Sequence, residues 1–330
     1  MKSEFLESEL ELYVQRLLVH ESYATGNLYR MLKISPSEER LKGYDAKIIG
    51  LTPFYCQFKT SDFLTKGPLY KRRQNFAAGK KWPLAPFYSF SLRVPSDSTE
   101  KKNSKAWQHN VLHHMWKLNP SAVAYVAPTF HTRMELDLHE PLTRRQCCAL
   151  ACTLMGCDNY SASSMISVRV ADVNGQERCR LPIFSGLLSI PPHIQVKDLK
   201  HSYCFTTQSD ITFHSNPESV DGGATLTEKL QTFARESIRQ DRADSRPSES
   251  RMSVSHVRTL LGLDDNDNDF LESFLSFGLS RAGAELRGRQ LASQTFDIET
   301  PWFQQHVALA AALKAFFDIT TLGLLKLESK

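Results

Sequence analysis

Residues 43–59, GYDAKIIGLTPFYCQFK, hold two short apolar runs, Tyr44–Ile49 and Phe54–Lys59, on either side of Gly50-Leu-Thr-Pro53. Two strands joined by a Gly/Pro turn are expected there, a hairpin. Side chains alternate across a strand, so Gln57 and Lys59 project from one face. A hairpin sets the start of its first strand beside the end of its second. Asp45 is therefore expected next to Gln57 and Lys59, which gathers a carboxylate, an amide and an ammonium group at one end of a mostly apolar sheet. That trio suits phosphodiester hydrolysis. A carboxylate with further oxygen ligands binds Mg²⁺ (or Mn²⁺), which keeps several waters and accepts phosphate. The ion acidifies a bound water and neutralises transition-state charge, and a neighbouring lysine stabilises the developing oxyanion. An amide in place of a second carboxylate leaves the ion one negative charge short. In the ordinary alternative, Asp45 is a turn residue while Gln57 and Lys59 face solvent on an edge strand.

Outward from this segment the elements follow in a definite order. Leu6, Leu10, Tyr13, Val14 and Leu17 recur at helical spacing through Phe5–Val19. Leu28–Ile34 alternates like a strand. After the hairpin comes an insertion rich in Lys, Arg, Gly and Pro, with one further strand at Phe87–Val94. Ser104–Leu118 reads as a second helix, and the continuous apolar run Ala122–Ala127 as a strand covered on both faces. With the insertion set aside, the order is helix, three strands, helix, strand.

On these residues the chain resembles the PD-(D/E)XK nuclease superfamily. Asp45 and, after eleven intervening residues, Gln57-Phe58-Lys59 look like its D…(E/Q)xK signature. The Gln form is similar to Mrr-like restriction endonucleases, and the element order to archaeal-type Holliday-junction resolvases. The likeness covers about residues 1–130. It implies an α/β, restriction-endonuclease-like αβββαβ core, with Asp45 and Gln57 as metal ligands and Lys59 as the catalytic lysine. It also implies a glutamate from the first helix. Glu7 and Glu9 flank that helix's apolar stripe and Glu21 lies near its end; Glu9 fits the family spacing better. Glu39, in the connection before Asp45, competes without any assumption about helix packing.

From Lys59 to Lys105 there are 11 basic and 3 acidic residues, 11 − 3 = +8, against +4 for the whole chain. Such a concentration is the electrostatic footprint expected for phosphate backbones, with Lys71, Arg72, Arg73, Lys80 and Lys81 as its centre. Interleaved Tyr70, Phe76, Trp82 and Tyr88 are candidates to stack on unpaired bases; the alternative is that they pack beneath a solvated basic loop. Gln108 and His109 open the second helix, where free N–H groups favour anions. His109 and His113 have metal-ligand spacing but no third ligand nearby, so ordinary helix histidines are the better account. Cys147, Cys148, Cys152 and Cys157 lack CxxC knuckles and read as small buried hydrophobes. Asp264–Asp269 lacks the glycine of a calcium loop and reads as a helix start.

The organisation expected is a nuclease-like α/β domain at 1–238 (core 1–130, extension 131–238), a polar linker at 239–255 and a mainly helical C-terminal region at 256–330. Within the last, Val307–Leu327 is expected as a core helix, since Lys314, Asp318 and Lys326 interrupt it too often for a membrane span. Further strands are expected at Ser164–Val173 and Tyr203–Phe213. With 41% apolar and 23% charged residues, wholesale disorder is excluded. Met1–Glu11 carries four glutamates and no apolar run, so it does not read as a secretory signal, and seven cysteines fit a reducing cytoplasm. The expected function is Mg²⁺-dependent cleavage of nucleic acid, DNA ahead of RNA, in genome defence or repair, with a homodimer as the natural way to cut two strands. The alternative is a catalytically inactive nuclease-fold module that binds nucleic acid or a protein partner.

Overall fold

A computed structural model describes residues 1–22, 29–34, 48–92, 107–139, 165–168, 179–198, 200–214, 217–243, 253–290 and 301–327. The chain opens with α1 (Glu7–Ser22), β1 (Tyr29–Lys33) and β2 (Ile48–Phe58). The insertion supplies β3 (Asp62–Leu64), α2 (Pro68–Gly79) and β4 (Phe87–Ser91), and is followed by α3 (Gln108–Leu118), β5 (Val123–Pro128) and α4 (Arg133–His139). Short strands come next: β6 (Met165–Val168), β7 (Cys179–Pro182), β8 (Leu187–Ile190), β9 (Ser202–Phe205), β10 (Thr212–His214), β11 (Glu218–Ser219) and β12 (Ala224–Thr225). The last part comprises α5 (Leu226–Ala243), α6 (Val254–Leu261), α7 (Asn268–Gln290), α8 (Pro301–Phe317) and β13 (Thr320–Leu327). No helix among the described residues is long and apolar enough to cross a membrane.

The expected hairpin is replaced by one continuous strand. Ile48–Phe58 runs straight through Gly50-Leu-Thr-Pro53 and pairs along its length with β13. Pro53 is tolerated because of where its missing donor falls. The backbone N–H of Lys59 donates to Val126 on β5, so the odd positions of β2 aim their N–H groups at β5. Among the described residues β5 pairs with β2 only over Tyr55–Phe58, so the ladder on that side does not extend to Pro53 and asks no bond of it.

A second correction concerns the C-terminus. The expected helix through Leu327 stops at Phe317, where Asp318 takes a left-handed conformation with φ 51° and Ile319 N–H reaches back to Leu313 O. Thr320–Leu327 then enters the middle of an eight-stranded mixed sheet of order β12-β8-β5-β2-β13-β1-β7-β6. β13 is antiparallel to both β1 and β2 and separates them. The region after residue 255 is thus part of the main sheet. A five-stranded sheet, β11-β10-β9-β4-β3, packs beside it through the buried rings of Phe90, Tyr125, Tyr203 and Phe213.

Register sorts the large sheet into two faces. Leu32, Gly323 and Pro53 share one, and with Ile34, Leu51 and Leu325 they meet Phe303, Val307 and Ala308 of α8. The other carries Lys33 and Phe54, and Phe54 packs edge-on against Phe233 of α5 with ring centroids 5.2 Å apart. α1 lies on this second face. The strand β5 is buried at every position, as its continuous apolar sequence predicts.

Two consequences are measurable. A Cβ on Gly278 of α7 would lie 2.4 Å from Ala308 O of α8, so Gly278→Ala must push two helices apart and is expected to destabilise by about 1–3 kcal/mol, read as a lowered melting temperature. A chain ending at Asp318 lacks the strand between β1 and β2; it is expected to lose cooperative unfolding and protease resistance rather than leave a folded N-terminal domain.

Candidate functional site

β2 and β5 are parallel neighbours, Tyr55–Phe58 against Val123–Val126, and so present their carboxyl ends at one edge of the sheet. In open α/β sheets that edge is where ligands bind. β2 ends there in Gln57 and Phe58, with Lys59 directly after it. Gln57 is 0% exposed, and neither atom of its amide has a hydrogen-bond partner among the described residues. Its register partner Tyr125 is no help, because that hydroxyl is committed to His109. Lys59 is 5% exposed and its Nζ lies 3.4 Å from Glu7 Oε1 at the start of α1.

One helical turn further along α1, Glu11 is held by Lys33 of β1 at 2.6 Å and by Lys314 of α8 at 2.7 Å. Lys314 also reaches Asp318 at 2.6 Å and the Thr320 hydroxyl at 3.3 Å. The two glutamates titrate in opposite directions. Burial pushes Glu7 above the ordinary carboxylate value and Asp318 adds to it, while Lys59 opposes. Burial pushes Glu11 up as well, but Lys33 and Lys314 more than offset it and leave it below that value.

The expected site residues are distributed as follows. Asp45 and Glu39 lie outside the described residues, as do Cys147, Cys148, Cys152 and Cys157; the hairpin that was to carry Asp45 to Gln57 is absent. Ile48 and Gln57 instead lie nine residues apart on one strand, roughly 30 Å. Gln57 and Lys59 do end β2 together. Glu9 points elsewhere, gripped by Arg133 at 2.6 and 2.9 Å and accepting the Leu6 N–H. The α1 carboxylate at Lys59 is that of Glu7.

Gln108 sits beside this edge, its amide donating at 2.5 Å to Phe317 O in the turn before Asp318. His109 is interior. Its Nε2–H donates to Ile194 O, so Nδ1 accepts from the Tyr125 hydroxyl. Burial above all drives its pKa down to about 3, and the ring is neutral. His113 donates to Pro192 O, away from His109.

The basic insertion splits by helical phase. Arg73 and Ala77 form the buried side of α2. Arg73 is 3% exposed, bonds Asp210 through its carbonyl at 2.8 Å and its carboxylate at 2.9 Å, and lies over the Phe87 ring. Lys71, Arg72, Lys80 and Lys81 are exposed, and α2 contains no acidic residue. The aromatics pack internally, Tyr70 flat on Phe87, Phe76 edge-on to Trp82, and Tyr88 against Phe63 and Phe205. They lie beneath the charges rather than offering free stacking faces.

For a divalent cation the described donors are Glu7 and Gln57, one carboxylate and one amide oxygen. Among the described residues no three His, Cys, Asp or Glu side chains gather to hold a metal. That set falls short of a metal centre, and no chemical step is assigned to an ion. Lys314, Asp318 and Thr321 (whose buried hydroxyl also has no partner among the described residues) were not legible as site residues. Only the pairing of β13 with β2 brings them here.

The Glu11 pairing has a pH signature. A carboxyl held below its ordinary value contributes stability that is present above the unfolded-state pKa and is lost as pH falls through the folded-state one. Lys314→Met is expected to destabilise by about 1 kcal/mol at neutral pH, because Lys33 still pairs with Glu11. The deficit should shrink as pH is lowered, since Glu11 loses its charge in wild type and variant alike once pH falls below its folded-state pKa; urea unfolding across an acid pH series measures it.

Comparison with protein-family models, with curated proteins and with solved structures finds no match to this chain.

Proposed function

We propose that the protein acts on nucleic acid, DNA ahead of RNA, and hydrolyses phosphodiester bonds at the carboxyl end of β2 and β5. The observation that carries this reading is Gln57. A wholly buried side-chain amide with no partner costs about 1–3 kcal/mol for each unsatisfied group, which folding alone gives no reason to retain. It stands two residues from a buried lysine, and both face the edge where parallel strands end.

In this reading the Lys59 ammonium holds a non-bridging phosphate oxygen, exchanging its 3.4 Å contact with Glu7 for a full charge-assisted bond. The Gln57 amide donates to the same group. Glu7, with its pKa raised chiefly by burial, is the carboxylate placed to take a proton from an attacking water at Oε1. Lys71, Arg72, Lys80 and Lys81 on the open side of α2 supply sequence-independent backbone contacts. A requirement for Mg²⁺ or Mn²⁺ belongs to this reading, as does pairing of two copies for a double-strand cut.

The second reading is a catalytically inactive module on the same scaffold. It is favoured by the lack of a metal-holding group among the described residues and by the neutralisation of Lys59 by Glu7. One experiment separates them: the full chain is incubated with supercoiled and linear duplex DNA in Mg²⁺, Mn²⁺ or EDTA. Nicking that EDTA abolishes, and that Lys59→Met and Glu7→Gln each lower by about 100-fold or more with the fold intact, is expected. Binding that survives both substitutions with no turnover in either metal would establish the inactive module.

A further inference from the structure

The polar row at the end of β2 does not stop at Lys59. Gln57, Lys59 and Ser61 occupy alternate positions between the body of β2 and the start of β3, and alternate residues of an extended chain share a side. All three are buried, with Gln57 and Ser61 both 0% exposed. Thr60 between the last two is half-buried. The Ser61 hydroxyl, like both atoms of the Gln57 amide, has no hydrogen-bond partner among the described residues. A lone buried hydroxyl commonly finds a backbone carbonyl within its own turn. Two unsatisfied side chains flanking a buried ammonium are different: together they are a set of donors that one acceptor-rich group would satisfy.

We propose that Ser61 is the third arm of a phosphate-binding subsite, its hydroxyl donating to the same phosphate that the Gln57 amide and the Lys59 ammonium hold. The subsite deepens the hydrolase reading and rests on it for the identity of the substrate, a phosphodiester. The chemistry of the row is what selects phosphate. Nζ–H of Lys59, Nε2–H of Gln57 and Oγ–H of Ser61 are donors of three kinds, one of them charged, and a tetrahedral oxyanion offers several acceptor oxygens to satisfy them together. Entry is from the Glu7 side. The Glu7 side chain is 38% exposed and lies 3.4 Å from Lys59, which is the solvent-facing approach to the ammonium. The exposed cations of α2 follow Ser61 closely in the chain and raise the local concentration of polyanions.

The test uses the full chain and inorganic phosphate, so that its outcome does not depend on turnover. The side-chain amide resonances of Gln57 are followed by NMR during a phosphate titration of wild type, Ser61→Ala and Ser61→Thr. The expected result is a saturable shift of the Gln57 amide, with affinity about tenfold weaker in Ser61→Ala and largely restored in Ser61→Thr. The melting temperature of Ser61→Ala should be unchanged or raised, because the hydroxyl it removes has no partner to lose. Equal affinity in wild type and Ser61→Ala, or a Gln57 amide that phosphate does not move, overturns the subsite even where DNA cleavage is observed. Phosphate binding as expected with no cleavage in any metal overturns the hydrolase reading and leaves the subsite standing.

Discussion

The structure depends on the hydrogen-bonded ladders that β13 makes on its two sides. β1 has little other support: its pairing with β7 is a single register pair, Tyr29 with Cys179. β2 meets β5 only over Tyr55–Phe58. The central part of both strands is buried, and backbone N–H and C=O groups buried without partners are strongly unfavourable. Thr320–Leu327 satisfies them and brings with it the apolar face that α8 covers. The placement of α1 over β1, of Lys59 at the end of β2 and of Asp318 at the entry to β13 all follow from this insertion.

The charges at the sheet edge are organised by the same event. Glu7 and Glu11 lie one helical turn apart on α1, and their carboxyls shift oppositely. Glu11 has two lysines, one from β1 and one from the helix that leads into β13. Glu7 has Lys59 at a longer distance and the repulsion of Asp318. A carboxylate held tightly by two lysines beside one held loosely is a useful arrangement. Glu11 fixes the geometry of helix and strands, whereas Glu7 can exchange its partner for a ligand at little cost. Beside the loose pair lie the unsatisfied amide of Gln57 and hydroxyl of Ser61, where polar groups have been buried against the interest of stability.

The insertion makes the complementary point about charge. Arg72 and Arg73 are adjacent and chemically identical, but 100° of helical rotation sends one to solvent and the other onto Phe87 and Asp210. A count of basic residues treats them alike; the helical phase set by Ala77 does not. The interleaved aromatics belong with Arg73, since they form the floor on which α2 rests.

Elements whose signal is local were legible in the sequence. The amphipathic spacing of Leu10, Tyr13 and Val14 marks α1, the apolar run before Pro128 marks β5, and the capped acidic start at Asp264 marks the approach to α7. The likeness of Gln57-Phe58-Lys59 to a catalytic signature directed attention to the carboxyl end of β2, where Gln57 and Lys59 are both buried. The hairpin failed because Gly50 and Pro53 both fit into the ladder with β13, opposite Lys326 and Gly323. The C-terminal strand was hidden because Leu322–Leu325 is equally apolar as helix or strand, and its pairing partners come from the opposite end of the chain. Composition and periodicity determined which segments were buried and which were charged. Only the tertiary structure decided that Glu7 rather than Glu9 meets Lys59, that Lys314 and Asp318 join them, and that Gln57 and Ser61 are left unsatisfied together, because register between distant strands is set by packing that no local window of sequence contains.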